Sequence, residues 1–178
     1  TTRGALRFPT REELNTTDLL VMYAATGNNL SAIDQINLER FLKRGGGLVA
    51  LNTAIAGTNG LWFKSIAGGT LTNAAPTISQ GLVGLYLQDS QSPLVQGIAN
   101  FDLRDELFRQ VQLAPEAKVV STTFYTAKEI IPQAWTYEKA RARTFVSIQG
   151  ASPATFALPH YRGMLLRGIA WAGKRPVD

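Results

Sequence analysis

Short apolar runs separated by polar loops and by stretches of helical spacing dominate the first third of the chain. DLLVMYA, from Asp18, is a β-rich apolar run, and TGNN after it has loop composition. Ser31 then stands three residues before Asp34, a capping-box-like spacing that predicts a helix start. Ile33, Ile36, Leu38, Phe41 and Leu42 give that helix an apolar face, and Lys43 and Arg44 suit its C-terminal end. Gly45 fits the left-handed position after the last turn. The next run, LVAL, has no polar alternation. Strands buried on both faces read this way, and they belong to parallel sheets covered by helices. Residues 18 to 51 are therefore expected to form a right-handed βαβ unit.

Later segments extend the same pattern. RTFVSIQGASP predicts a strand from Arg143 to about Ile148, followed by a loop through Gln149 and Ser152. Residues 135 to 139 pair with it as a hairpin. Pro159 opens a last helix, in which Tyr161, Met164, Leu165, Ile169 and Ala172 follow helical spacing up to Gly173. Between residues 77 and 123 the chain reads as several short strands, including ISQGLVGLYL and KVVSTTF. In parallel sheets ligands bind beyond the carboxyl ends of the strands. Three loops are expected at such ends, carrying Thr26 and Asn28, Asn52 and Thr53, and Gln149 and Ser152.

Composition narrows the chemistry. The 178 residues fit one domain, 1–178, with a sizeable core, and no apolar run approaches the roughly 18 residues needed to span a membrane. Cysteine is absent, so disulfides, thiolate metal sites and a cysteine nucleophile are excluded. The net charge is +5, with seven Lys or Arg from Lys139 onward opposed only by Asp178. No nucleic-acid recognition motif accompanies that charge, so it reads as solvated strand and helix faces. The single histidine, His160, begins the last helix, and no metal site is expected. A serine-hydrolase reading lacks a G-x-S-x-G elbow, and the three glycines at 45–47 precede a strand rather than cradling a phosphate.

The ordered segments GGGLVALNTA, LWFKSIAGGTL, Ser92-Pro93, Asp105-Glu106-Leu107-Phe108, IIPQAW, ARTFVSIQGA and LLRGIAWA resemble the ThuA-like (trehalose-utilisation) family. That resemblance implies an α/β fold with a mainly parallel sheet flanked by helices, similar to flavodoxin-like and class I glutamine amidotransferase-like domains. It also implies a chain shortened at its N-terminus, whose sheet edge there is covered by another segment, a protein partner or a second copy, unless the sequence is a fragment. Asn52, Ser92 and Ala151 stand where the family carries histidines. An imidazole titrates near neutral pH and binds zinc; an asparagine, a serine or an alanine does neither there.

Two functions follow from the resemblance. One is a non-catalytic binding or assembly module connected to carbohydrate metabolism, with neutral groups (Thr26, Asn28, Asn52, Thr53, Gln149, Ser152) facing a sugar or polyol and no cofactor. The other is an active carbohydrate-processing enzyme that uses Asp105 or Glu106. Adjacent residues on a strand point to opposite faces, so these two acids are not expected to act as a pair. Arg104 and Arg109 stand close enough in sequence to neutralise them. Trp62, Trp135 and Trp171 read first as core packing and second as a sugar-stacking surface.

Overall fold

The computed structural model describes residues 4–5, 7–23, 30–57 and 59–177. The first elements are α1 (Arg11–Asn15), β1 (Leu19–Tyr23), α2 (Ala32–Lys43) and β2 (Gly47–Leu51). Ser31 caps α2 with a full capping box: its hydroxyl accepts from Asp34 N, and the Asp34 carboxylate accepts from Ser31 N. At the other end Gly45 has φ 103°, a turn that frees the chain to enter β2. Gly47 then lies so close to the Ala172 carbonyl that any side chain there would collide with it.

β2 pairs in parallel with β1 and with β9 (Ala142–Ser147), in a register that aligns Tyr23, Leu51 and Ser147. β2 is buried at every position. Leu48 and Ala50 face a core shared with Phe41, Phe63 and Val146, whereas Val49 and Leu51 face a second core with Phe145, Tyr161 and Met164. This two-sided burial explains the unbroken apolar run. The second core is closed by α5 (Pro159–Ala172), where Gly168 lets the helix sit directly on the Phe145 ring.

The expectation of a mainly parallel sheet is corrected by the other half of the molecule. β4 (Ile78–Leu87), β5 (Phe101–Leu107), β7 (Lys118–Thr126) and β8 (Glu129–Lys139) complete a seven-stranded sheet in the order β1-β2-β9-β8-β7-β4-β5. All pairings from β9 to β5 are antiparallel. For β7, β8 and β9 the physical reason is loop length: two residues join β8 to β9 and two join β7 to β8, and connections that short reverse the chain. β3 (Gly69–Leu71) and β6 (Val111–Leu113) form a small separate antiparallel pair, and α3 (Gly60–Ala67) packs beside them.

Candidate functional site at the carboxyl rim

The carboxyl ends of β1, β2 and β9 lie side by side, and beyond β2 and β9 the chain turns over the rim. Asn52 follows β2 directly and begins a short 3-10 turn, Asn52–Ile55. Its φ is 55°, a left-handed conformation that asparagine tolerates better than most residues with a Cβ. The side chain is nine-tenths buried, and its Nδ2 donates to Glu106 Oε2 at 3.0 Å. After β9, the fully buried Gln149 donates from Nε2 to the Glu106 carbonyl at 3.2 Å and to Gln133 Oε1 at 2.8 Å. Gln149 Oε1 has no donor among the described residues.

Glu106 belongs to β5, the edge strand farthest from β1 in the sheet order. It reaches Asn52 and Gln149 only because the antiparallel half curls back over the ends of β2 and β9. Asp105, beside it, points the other way and is buried. Its carboxylate accepts from the backbone amides of Glu106, Gly150 and Ala151 at 2.7–3.0 Å and from the Thr155 hydroxyl. Four donors occupy its lone pairs, so Asp105 anchors the 150–155 loop and has no capacity left for a substrate. Glu106 is half-buried and accepts a hydrogen bond from the Asn52 side chain through Oε2. The two arginines close in sequence do not neutralise this pair: Arg109 bonds Glu129 at 2.6 Å and lies over the Tyr125 ring, and Arg104 is in no ion pair among the described residues.

An aromatic series lies beside this polar group. Tyr23, at the end of β1, donates its hydroxyl to the Gly150 carbonyl at 2.8 Å. With Leu51, Pro153 and Phe156 it lines an open apolar depression of about 500 Å³. Phe156 makes edge contacts with Tyr23 on one side and with Tyr161 on the other. Tyr161 is fully buried; its hydroxyl donates to the Gln149 carbonyl at 3.0 Å and contacts Ser147 Oγ. Burial raises the Tyr161 phenol far above its ordinary range, so it stays protonated.

The rim thus brings together Asn52, Gln149 and Glu106. Thr53 is half-buried in the 3-10 turn, and Ser152 uses its hydroxyl to cap α4 (Pro153–Ala157). Thr26 and Asn28 lie outside the described residues. Ala151 is exposed, and Ser92 closes a turn through its carbonyl and hydroxyl. His160 is exposed on α5 beside the Phe101 ring. The tryptophans offer no common stacking surface: Trp135 is fully buried and bonds the Ala67 carbonyl, Trp62 bonds Glu39, and Trp171 lies under Arg143. The rings at the rim are Tyr23 and Phe156 instead. Position alone signals Tyr23, as the last residue of a rim strand; Phe156 carries no sequence signal beyond following Ser152-Pro153.

The family model for ThuA, trehalose utilisation, matches residues 1–172. The chain belongs to the ThuA family. No curated protein matches it by sequence. Among solved structures, a ThuA-like protein of Parabacteroides merdae superimposes with a TM-score of 0.72 at 18% identity, covering 90% of this chain and 72% of that one. A cytoplasmic protein of Salmonella typhimurium gives a TM-score of 0.71 at 15% identity, covering 94% and 76%. The GH42 β-galactosidase Gan42B of G. stearothermophilus gives 0.66 at 13% identity, covering 94% of this chain but only 23% of that enzyme. At these identities the likeness is one of fold. This ThuA-family chain has the extent of one part of the galactosidase.

Proposed function

We propose that this ThuA-family domain binds a carbohydrate at the rim over β2 and β9 without transforming it. The observation that carries the reading is the hydrogen bond from Asn52 Nδ2 to Glu106 Oε2. An amide donor beside a carboxylate acceptor matches a sugar hydroxyl, which both donates and accepts. The Tyr23–Phe156 depression adjoins it and suits the C–H face of a sugar ring. Proton transfer is served less well. Asp105 is saturated, Tyr161 is locked in its protonated form, and the resemblance puts Asn52, Ser92 and Ala151, none of which titrates near neutral pH, where the family carries histidines. The family's link to trehalose utilisation makes glucose disaccharides the first ligands to test. Similarity to part of a β-galactosidase favours a domain that works beside other units, and the β1 edge opposite β2, where Val21 is exposed, is the place for such a contact.

The rival reading is an enzyme with Glu106 as general base, favoured by the partial exposure of that carboxylate beside a positioning amide. Calorimetric titration with trehalose and other disaccharides, run with turnover assays on wild type and two variants, separates them. Binding that weakens about tenfold or more in Glu106→Ala, with no turnover, supports the module. Turnover by the wild type that vanishes in Glu106→Gln while affinity holds establishes the enzyme. Absence of binding to every sugar tested refutes the module.

A further inference from the structure

At the opposite end of the parallel strands, a small cleft opens between α1 and α2. We infer that this cleft is a site for a phosphate-like oxyanion. Its volume is about 180 Å³, and Arg11, Arg40 and Arg44 line it together with Asn15 and Asn37. That is below the roughly 300–1,000 Å³ of pockets that enclose a whole organic ligand, and it suits a single anionic group.

Three arginines line the cleft, and no acidic residue is among the lining. None of the three is in an ion pair among the described residues. Glu13 of α1 is taken by Arg7 through two bonds of 2.7 Å, and Glu12 is exposed and pairs with none of them. The C-terminal end of α2 contributes only about half a negative charge, which leaves most of the positive charge uncompensated. Arg44 is fixed in place: it donates to the Leu14 carbonyl at 2.6 Å and to the Thr17 carbonyl, and it lies 5.1 Å from the centre of the Phe41 ring. Holding a guanidinium rigid lowers the entropy lost when it binds an oxyanion.

Asn37 supplies the second, independent feature. It lines the cleft, is nine-tenths buried, and its Oδ1 has no donor among the described residues. A buried acceptor left without a donor is costly. Turning the Asn37 amide towards the cleft would let the hydroxyl of an oxyanion such as phosphate satisfy Oδ1, while its other oxygens meet the arginines. The site is independent of the rim: Arg40 and Arg44 end α2 just before β2 begins, whereas Asn52 follows the end of β2.

The test is titration calorimetry and thermal unfolding of the full chain with inorganic phosphate, with a hexose 6-phosphate, and with sodium chloride at matched ionic strength. Arg11 and Arg40 are exposed and make no described ion pair, so Arg11→Gln and Arg40→Gln should fold as the wild type does. Saturable binding of phosphate, weakened at least tenfold in the double variant and reduced by rising salt, is the expected result. Tighter binding of the hexose phosphate identifies an ester as the natural source; equal or weaker binding identifies free phosphate. A melting-temperature rise that is the same in wild type and double variant, or the same with chloride, reflects general ion effects and overturns the site. So does the absence of saturable phosphate binding. None of these outcomes bears on sugar binding at the rim, which Glu106→Ala tests separately.

Discussion

At φ 55°, Asn52 occupies backbone space that costs an ordinary L residue about 1–2 kcal/mol, and its amide donates to the Glu106 carboxylate. These two contributions are separable by substitution. Asn52→Gly loses the hydrogen bond but relaxes the backbone; Asn52→Ala loses the bond and keeps a strained Cβ. The expected stability order in urea unfolding is wild type, then glycine, then alanine, with about 1 kcal/mol between the two variants. Equal stability of the two would show that the left-handed turn stores no strain. Tyr161 sets a pH limit at the same scale. Its folded pKa is raised by burial, whereas in the unfolded chain it titrates near 10. Above that value the unfolded state sheds a proton that the folded state retains, so stability falls as pH rises through and beyond 10. Tyr161→Phe should be less stable at neutral pH, through loss of the Gln149 and Ser147 contacts, and should show a shallower decline between pH 10 and 11.5.

At the scale of elements, Asp105 ties the loop after β9, and α4 behind it, to an edge strand that is distant in sheet order. Asp105→Asn turns an NH2 group towards backbone N–H or hydroxyl donors that now meet an oxygen. The expected cost is about 2–3 kcal/mol, with faster amide exchange at Gly150 and Ala151. A catalytic Asp105 would instead lose turnover while exchange stayed unchanged. The elements readable from sequence were those with a local physical signature. α2 has its Ser31–Asp34 box and Gly45, β2 its two-sided burial, and α5 its Pro159 and Gly173. α3 lacked such a signature, because Asn59 makes no side-chain cap bond, Gly60 leads the helix, and eight residues give few repeats of the apolar spacing. The β8–β9 hairpin was legible too, but the rest of the antiparallel part of the sheet was hidden for a different reason. A strand's own pattern reports burial, but direction is set by its connections, and the two-residue turn at 127–128 carries no glycine to mark it.

The candidate site depends on a property of the whole molecule. Asn52 and Gln149 were readable as rim residues from the parallel half alone. Their actual partner, Glu106, arrives from β5 only through the curl of the antiparallel half, a non-local feature that no short stretch encodes. The two proposed sites would share one sheet, with the rim at the carboxyl ends of its parallel strands and the arginine cleft near their amino ends. Energetic coupling between them would require an element with two discrete arrangements that both ligands bias. β2 lies between the sites, is buried throughout, and is paired on both sides in continuous register, so it offers no second arrangement. A disaccharide and phosphate should therefore bind independently, each with a Kd unchanged within about twofold when the other is saturating, in reciprocal calorimetric titrations. By the same argument the stability changes caused by Glu106→Gln and Arg40→Gln should add within about 0.5 kcal/mol in the double variant. A larger departure in either measurement would mean that β2 or α2 moves as a unit between the two ends of the sheet.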